Sequence, residues 1–479
     1  MVLLIFPLIA SALLYFLKDK TARIASLILS LVQLVINAYI FNGFDFKTDA
    51  IQFYNSYKWF DSIGLNFTTG IDGISMVMLL LTNIATFLIT LSSWDNKYFK
   101  INSFLSLIFL MQAALNGVFI SQNGLLFYIF WELALIPIYF ITGIWGGENR
   151  IKITFKFFIY TFLGSLLMLV AFIYIYLKTT GVNAFEWENF INTNLSNKES
   201  TFLLWAFFIA FAIKMPVFPF HTWQPDTYSV APSQGTMLLS GIMLKMGIFG
   251  MIKWMFPLLK NTCNCNINIF MILAVAGIVY AAIIAIMQKD IKRVIAWSSI
   301  SHVGLIAAGI LTLSEKGLQG GVLQMFNHGI NIIGLFFVVE IIERRINTRK
   351  LEEMGGLAQY ARGFSVLFMI IMLGSIALPL TNGFTGEFLL LNAVFNYCKV
   401  WGVVSALTII FCAVYMLRVY QLSMFGEPKS SNSIFGKLSW SEYITLGIIV
   451  CIVILTGIFP NTILNISEVS VKSILTILE

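Results

Sequence analysis

Six residues that can bind or release a proton lie inside long apolar stretches of the chain: Glu132, Lys214, Lys245, His302, His328 and Glu387. Glu132 sits in F-Y-I-F-W-E-L-A-L-I-P-I-Y-F, Lys214 in A-F-A-I-K-M-P-V-F-P-F-H-T-W-Q-P-D, and Lys245 in G-I-M-L-K-M-G-I-F-G. A charged side chain at the centre of a bilayer costs about 2.5 to 3.5 kcal/mol on insertion scales, so each needs a partner, water or a proton. For Glu132 two readings stand side by side, a buried structural ion pair and a proton or ion site. Lys245 could snorkel to an interface, although apolar residues flank it on both sides.

The histidines carry polar company. Ser298, Ser301 and His302 fall at i, i+3 and i+4, and Gln324, Asn327, His328 and Asn331 at i, i+3, i+4 and i+7, each set on one helical face. Two such stripes are expected to line a hydrated seam, with all three histidines, His221 included, on or near it. Polar stripes also serve as interhelical glue. There is no ring of like charges to make a selectivity filter and no substrate-sized polar cluster. The chemistry left to these residues is handing on protons one at a time.

Membrane helices must position them. Of 479 residues 58% are hydrophobic and 11% charged, where a soluble domain has about 25% charged. Apolar runs of bilayer length recur about fourteen times, so the fold expected is an all-α polytopic membrane protein without a soluble domain. Its longest polar interruptions are 43–70, 178–200 and 343–363. The run Val2–Leu17 lacks the flanking pattern of a removed signal and reads as a first helix. The cysteines Cys263, Cys265, Cys398, Cys412 and Cys451 are scattered, and Cys-x-Cys alone does not make a zinc site, so no metal is expected. No G-x-G-x-x-G or Walker loop follows a strand, which leaves no recognisable nucleotide or flavin site.

Helices 1 to 3, at about 2–17, 22–42 and 71–94, carry no charge at mid-depth and read as scaffold. Helix 4, about 101–121, places Gln112 and Asn116 four apart, as suits hydrogen bonds between helices or a function. Helix 7 must break at Pro216 and Pro219, because proline lacks the N–H and clashes with the preceding turn. Helix 12 repeats the interruption at Pro379, Gly383 and Gly386, with Glu387 just beyond. Interrupted helices in corresponding positions point to a structural repeat with its site at the breaks. Helices 4–8 and 9–13 are then inverted repeats, which sets helix 5 with Glu132 against helix 10 with His302. The expected divisions are 1–100, 101–258, 267–425 and 426–479, the last holding helix 14 and a short tail.

If helices alternate from an outer N-terminus, 19 of the 30 basic residues fall in loops on one side, nine on the other, and Lys214 and Lys245 within the membrane. The basic side is expected to face the cytoplasm, with both termini on the periplasmic side. This bias accounts for the net charge of +7 without nucleic acid. Burial penalises a charged group and a nearby opposite charge favours it. Moving Glu132 toward or away from Lys214 would therefore switch Lys214 between holding and releasing a proton. The track expected is lateral: Glu132 and Lys214, then Lys245, then His302 and His328, then Glu387.

These strings, together with D-I-K-R-V-I-A-W-S-S-I-S-H-V-G and F-N-H-G-I, resemble the antiporter-like subunits of respiratory complex I, the proton-pumping NADH:quinone oxidoreductase. The resemblance covers nearly the whole chain with five motifs in order. It implies fourteen helices, a Glu–Lys pair on helices 5 and 7, a central lysine on helix 8 and a terminal group on helix 12. Those roles fall on Glu132, Lys214, Lys245 and Glu387. A glutamate on helix 12 resembles the M type, corresponding to mitochondrial chain 4, where the L and N types and the sodium/proton antiporter relatives generally carry lysine. The resemblance further implies that this chain holds no cofactor, with NADH, FMN, iron–sulfur centres and quinone in partner subunits. Its partners would be other membrane-arm subunits, especially the L and N types, in a bacterial inner membrane. A subunit of a multisubunit sodium/proton antiporter is the alternative.

Overall fold

The polar segments are too short for a soluble domain, and helices dominate the computed structural model, which describes residues 1–60, 64–179, 184–261, 265–427 and 435–478. In chain order the main helices are α1 (Val2–Phe16), α2 (Asp19–Asn42), α3 (Gly73–Ser92), α4 (Ile101–Ile120), α5 (Gly124–Trp145) and α6 (Arg150–Lys178). Next come α7, in two parts (Asn197–Lys214 and Gln224–Val230), then α8 (Ser233–Leu259), α9 (Cys265–Met287), α10 (Ile291–Ile310) and α11 (Glu315–Ile346). They are followed by α12, in two parts (Arg362–Ser375 and Asn382–Tyr397), α13 (Lys399–Met424), α14 (Trp440–Ile458) and α15 (Asn461–Leu478).

Eleven of the described helices are long and apolar enough to cross a bilayer, and α1 and the first part of α12 are apolar but shorter. The expected number, about fourteen, is reached only by counting α1 and both interrupted helices as spans. In each run of five, α4–α8 and α9–α13, the interruption falls in the fourth helix.

Burial sorts the helices. The apolar stretches of α8 and α11 are wholly enclosed and those of α3, α4 and α10 nearly so, whereas α2, α6, α13 and α14 turn much of their apolar surface outward. Hydrocarbon solvates leucine as well as a protein core does, so packing and polar contacts rather than burial hold membrane helices together. Gln112 shows this: its Nε2 donates to Asn83 Oδ1 at 2.8 Å, while Asn116 Nδ2 donates to the Leu3 carbonyl at 2.8 Å. Of the two readings of that pair, the structure has the hydrogen bonds that tie α4 to α3 and α1.

Two segments depart from expectation. The interruption at 43–70 contains an antiparallel hairpin, β1 (Gln52–Phe60) and β2 (Leu65–Ile71), an unexpected addition to a fold that is otherwise the expected all-α polytopic bundle. Q-F-Y-N-S-Y-K-W-F and L-N-F-T-T-G-I are rich in aromatic and β-branched residues that suit a half-covered pleated surface. The residues after Pro460, expected as a short tail, form α15, which packs against α3 and α11. The Gly73 N–H donates to Ser470 Oγ at 2.8 Å, Ser467 Oγ donates to Gln319 Oε1 at 3.2 Å, and a Cβ on Gly73 would lie 2.1 Å from the Ile466 carbonyl.

Candidate functional site: a row of buried ionisable groups

The first break follows directly from proline chemistry. Pro216 has no N–H for the Ala212 carbonyl, and Val217 N–H takes that acceptor instead, at 2.9 Å. The Ile213 carbonyl is thereby left over, and Trp223 Nε1 donates to it at 2.9 Å from beyond the break. Lys214 thus ends the first part of α7 in a sealed position. It is 1% exposed, its ammonium has no hydrogen-bond partner, and it lies 5.2 Å from the centre of the Trp131 ring. A cation over an indole face is favoured by about 0.5 to 2 kcal/mol.

Glu132 follows Trp131 on α5, yet it is only half-buried, and its buried Oε1 has no hydrogen bond. Its neighbours are the Ser165 hydroxyl of α6 and, through space, Lys214. The carboxylate expected deep in the membrane therefore stands at the flank of this chain, separated from its lysine rather than bonded to it.

Lys245 is fully buried on α8, between two π-helical turns, Leu239–Met243 and Met251–Met255. A π turn loosens the regular hydrogen-bond ladder and recurs at functional positions. Lys245 Nζ donates to the Ser240 carbonyl at 2.5 Å and lies 2.9 Å from His328 Nδ1 on α11. Gly247 and Gly250 let α7 press against this helix: a Cβ on Gly250 would fall 2.5 Å from the Phe211 ring, and one on Gly247 would fall 2.9 Å from the Phe211 carbonyl. Lys214 and Lys245 are thus carried by helices in close contact, although the two ammonium groups do not share a partner.

The second half is more tightly connected. The break in α12 covers the residues around Pro379, where Ala377 and Leu380 take φ of +63° and +72°. Gly383 and Gly386, expected to help break this helix, lie instead within its second part and admit close neighbours. A Cβ on Gly383 would lie 2.2 Å from the Gly374 carbonyl, and one on Gly386 2.3 Å from Gln324 Oε1. Glu387 is 2% exposed, and its Oε1 meets His302 Nδ1 at 2.9 Å and accepts from Gln324 Nε2 at 3.2 Å. On its other side His302 Nε2 lies 3.4 Å from Cys412 Sγ of α13, which also approaches the Ser375 carbonyl at 3.5 Å.

His302 and His328 stand with ring centres 6.0 Å apart. Beside them His302, Gln324, His328, Asn331, Ser375 and Glu387 help line a cavity of about 10 Å3, about what one water needs. His328 Nε2, Gln324 Oε1 and Asn331 Oδ1 are buried without protein partners. These are the atoms a bridging water would join. Lys245, His328, His302 and Glu387 therefore form one nearly continuous row, while Glu132 and Lys214 stand apart from it and from each other.

Some expectations need correction. His221 does not join the other histidines; its ring packs among Phe218, Tyr280 and Trp297. Ser301 donates to the Ile278 carbonyl at 2.9 Å and meets Thr408 Oγ1, and Ser298 accepts from Tyr415 OH at 3.0 Å. Their hydroxyls therefore fasten α10 to α9 and α13 instead of facing the row. Cys263, among the cysteines weighed above, lies outside the described residues. Trp131, Cys412 and Asn382, whose carbonyl accepts from Asn327 Nδ2 at 2.7 Å, were not anticipated. Only tertiary proximity marks them. Glu340, buried on α11 within V-V-E-I-I, was also missed, although the rule that singled out Glu132 applies to it equally.

A helical bundle with two interrupted helices and ionisable groups strung between them defines an antiporter-like membrane subunit. The family model described as NADH:quinone oxidoreductase/Mrp antiporter, transmembrane, matches residues 121–412. NADH-quinone oxidoreductase subunit M of Rickettsia prowazekii (strain Madrid E) is 39% identical over 460 residues, covering 95% of this chain and 93% of that protein. Among solved structures, a chain of respiratory complex I from Thermus thermophilus with bound NADH superposes with a TM-score of 0.92 at 27% identity, covering 100% of this chain and 99% of that one. A chain of the Mrp complex from Dietzia sp. DQ12-45-1b shares the fold, with a TM-score of 0.84 at 17% identity over 100% of this chain and 98% of that one. The chain belongs to this family, and within it to the antiporter-like M subunits of NADH-quinone oxidoreductase, complex I.

Proposed function

We propose that this subunit moves protons through Glu132, Lys214, Lys245, His328, His302 and Glu387, driven by redox chemistry in other subunits of its complex. The observation that carries this reading is the 2.9 Å contact between Lys245 Nζ and His328 Nδ1. It links the last helix of the first run of five to the row that ends in the His302–Glu387 pair. The order differs slightly from the one expected, since His328 rather than His302 is the neighbour of Lys245. Residues 101–258 and 267–425 are read as the two inverted repeats, hinged on the breaks at Pro216, Pro219 and Pro379.

The chain itself carries no redox site in this reading. NADH, FMN, iron–sulfur centres and quinone belong to partner subunits, and the L and N types are its neighbours in the membrane arm. The half-buried Glu132 supports such a neighbour, because a carboxylate on the flank is usable only if another chain covers it. The excess of Lys and Arg at one end supports a cytoplasmic placement of that end, and hence periplasmic termini in a bacterial inner membrane. A lysine is general in the helix 12 position of the sodium/proton antiporter relatives, and Glu387 there favours the complex I reading.

The test is Lys214→Met in the whole complex, assayed in inverted membrane vesicles. NADH-driven proton translocation should be abolished while the subunit remains inserted, and undiminished translocation would refute the assignment.

A further inference from the structure

Two asparagines of the polar stripe on α11 also hold the break in α12. Asn327 Nδ2 donates to the Asn382 carbonyl at 2.7 Å and Asn331 Nδ2 to Asn382 Oδ1 at 3.0 Å, while Asn382 Nδ2 points back to the Asn327 carbonyl, 3.5 Å away. Asn327 and Asn382 are fully buried. Asn382 opens the second part of α12, and Glu387 rides on the same piece of helix five residues on, about 7.5 Å along the axis. Gly374, near the end of the first part, presses on the same amides: a Cβ there would lie 3.2 Å from both Asn331 Oδ1 and Asn382 Oδ1. Both parts of α12 therefore meet α11 at one amide cluster.

A side-chain amide donates at one end and accepts at the other, so its neighbours fix its direction. A main-chain carbonyl only accepts, and the Asn382 side chain accordingly presents Nδ2 to Asn327 and Oδ1 to Asn331. Asn331 must then turn its Nδ2 to that oxygen. Its own Oδ1 is left buried without a protein partner, beside the water-sized cavity that Asn331 lines with His302, Gln324, His328 and Glu387. Gln324 is fixed in the same way, its Nε2 given to the Glu387 carboxylate and its Oε1 unbonded. We propose that Asn382 is a positioning residue of the relay. It seats the second part of α12 on α11, which keeps Glu387 within reach of His302, and it holds the Asn331 oxygen where it orients a water between His328 and Glu387. An amide neither gains nor loses a proton near neutral pH, so Asn382 acts only through the groups it places.

This inference rests on the relay proposed above, and the experiment separates the two. A misplacement of about 1 Å can cost about a hundredfold in a reaction that depends on close approach. In inverted vesicles holding the intact complex, Asn382→Ala should therefore lower NADH-driven translocation about fivefold or more, with uncoupled NADH oxidation retained. The pH of half-maximal translocation should also move, because the spacing of ionisable groups sets how readily each is charged. Asn382→Ser, which keeps an acceptor for Asn331, should recover part of both effects. Asn116→Ala removes an interhelical amide bond of the same kind away from the row and should leave the pH profile in place. A normal rate in Asn382→Ala, or a lowered rate with an unmoved pH profile, would overturn the positioning role. If Glu387→Gln abolishes translocation in the same vesicles, the relay stands whichever way Asn382→Ala falls, whereas normal translocation in Glu387→Gln would bring down both. Should Asn382→Ala not assemble, Asn331→Leu removes the same bond from the other side at similar volume. It should give the same loss and the same shift, and a wild-type pH profile there would overturn the proposal.

Discussion

In the first run of helices the acid and the base at the break are kept apart: Lys214 lies over Trp131 without a hydrogen bond, and Glu132 waits half-buried at the flank. In the second, His302 and Glu387 are in direct contact at 2.9 Å, braced by Gln324 and Cys412. The same architectural device therefore leaves an open pair apart from the row and holds a closed pair at its end. Buried opposite charges that touch stabilise each other strongly, whereas separated ones leave each proton free to respond to a change in spacing. In the proposed relay the open pair would respond to a neighbour, and the closed pair would hold a proton until it is displaced.

This contrast is sharpest if both carboxylates are neutralised. Glu387→Gln should give the larger effect, because breaking a buried pair from one side costs about 3 to 5 kcal/mol. Translocation should fall more than tenfold, and the thermal melting temperature of the purified complex should drop. Glu132→Gln should likewise reduce translocation but leave melting unchanged, since its buried oxygen has no partner to lose. Equal melting temperatures for the two variants would break the distinction between closed and open pairs.

Trp131→Leu should come next. It takes away the ring face beneath Lys214, a contribution of about 0.5 to 2 kcal/mol, and should slow NADH-driven translocation several-fold, with Trp131→Phe recovering most of the rate. An unchanged rate in Trp131→Leu would mean that the ring is packing only. The smallest effect is expected for Cys412→Ala, because a thiol is a weak hydrogen-bonding group. A loss of no more than about twofold, with Cys412→Ser close to wild type, would fit a thiol that steadies His302 without accepting its proton. A tenfold loss would make Cys412 part of the row.

Much of this was legible in the chain because membrane insertion makes apolar length and misplaced charge explicit. Charges in hydrocarbon are too costly to occur without cause, so Lys214, Lys245 and Glu387 announce themselves by their neighbours in sequence. Prolines 216, 219 and 379 announce the breaks for the same local reason, a missing N–H. The hairpin at 52–71 was not read, since outside the bilayer the hydrophobic period no longer decides between strand and loop. Gly383 and Gly386 were misread as breakers, because a glycine that admits a neighbouring helix looks the same in sequence as one that ends its own. Ser298 and Ser301 share a face with His302, but a hydroxyl in a helix bonds whichever carbonyl or hydroxyl packs against it.

The amino-acid order by itself determined that this is a helical membrane protein, where two of its helices are interrupted, and that Lys214, Lys245, His302, His328 and Glu387 are ionisable groups set in apolar surroundings. Those properties follow from side-chain solvation and backbone chemistry within a few residues of each position. Which of the groups touch was decided only by the tertiary structure. Lys245 meets His328 from 83 residues away, His302 meets Glu387 across two helices, and Glu132 and Lys214, neighbours in the expected relay, do not meet at all. The reason is geometric: contacts within about 4 Å depend on how helices rotate and approach one another, and that is set by glycines, π turns and packing spread over the entire bundle.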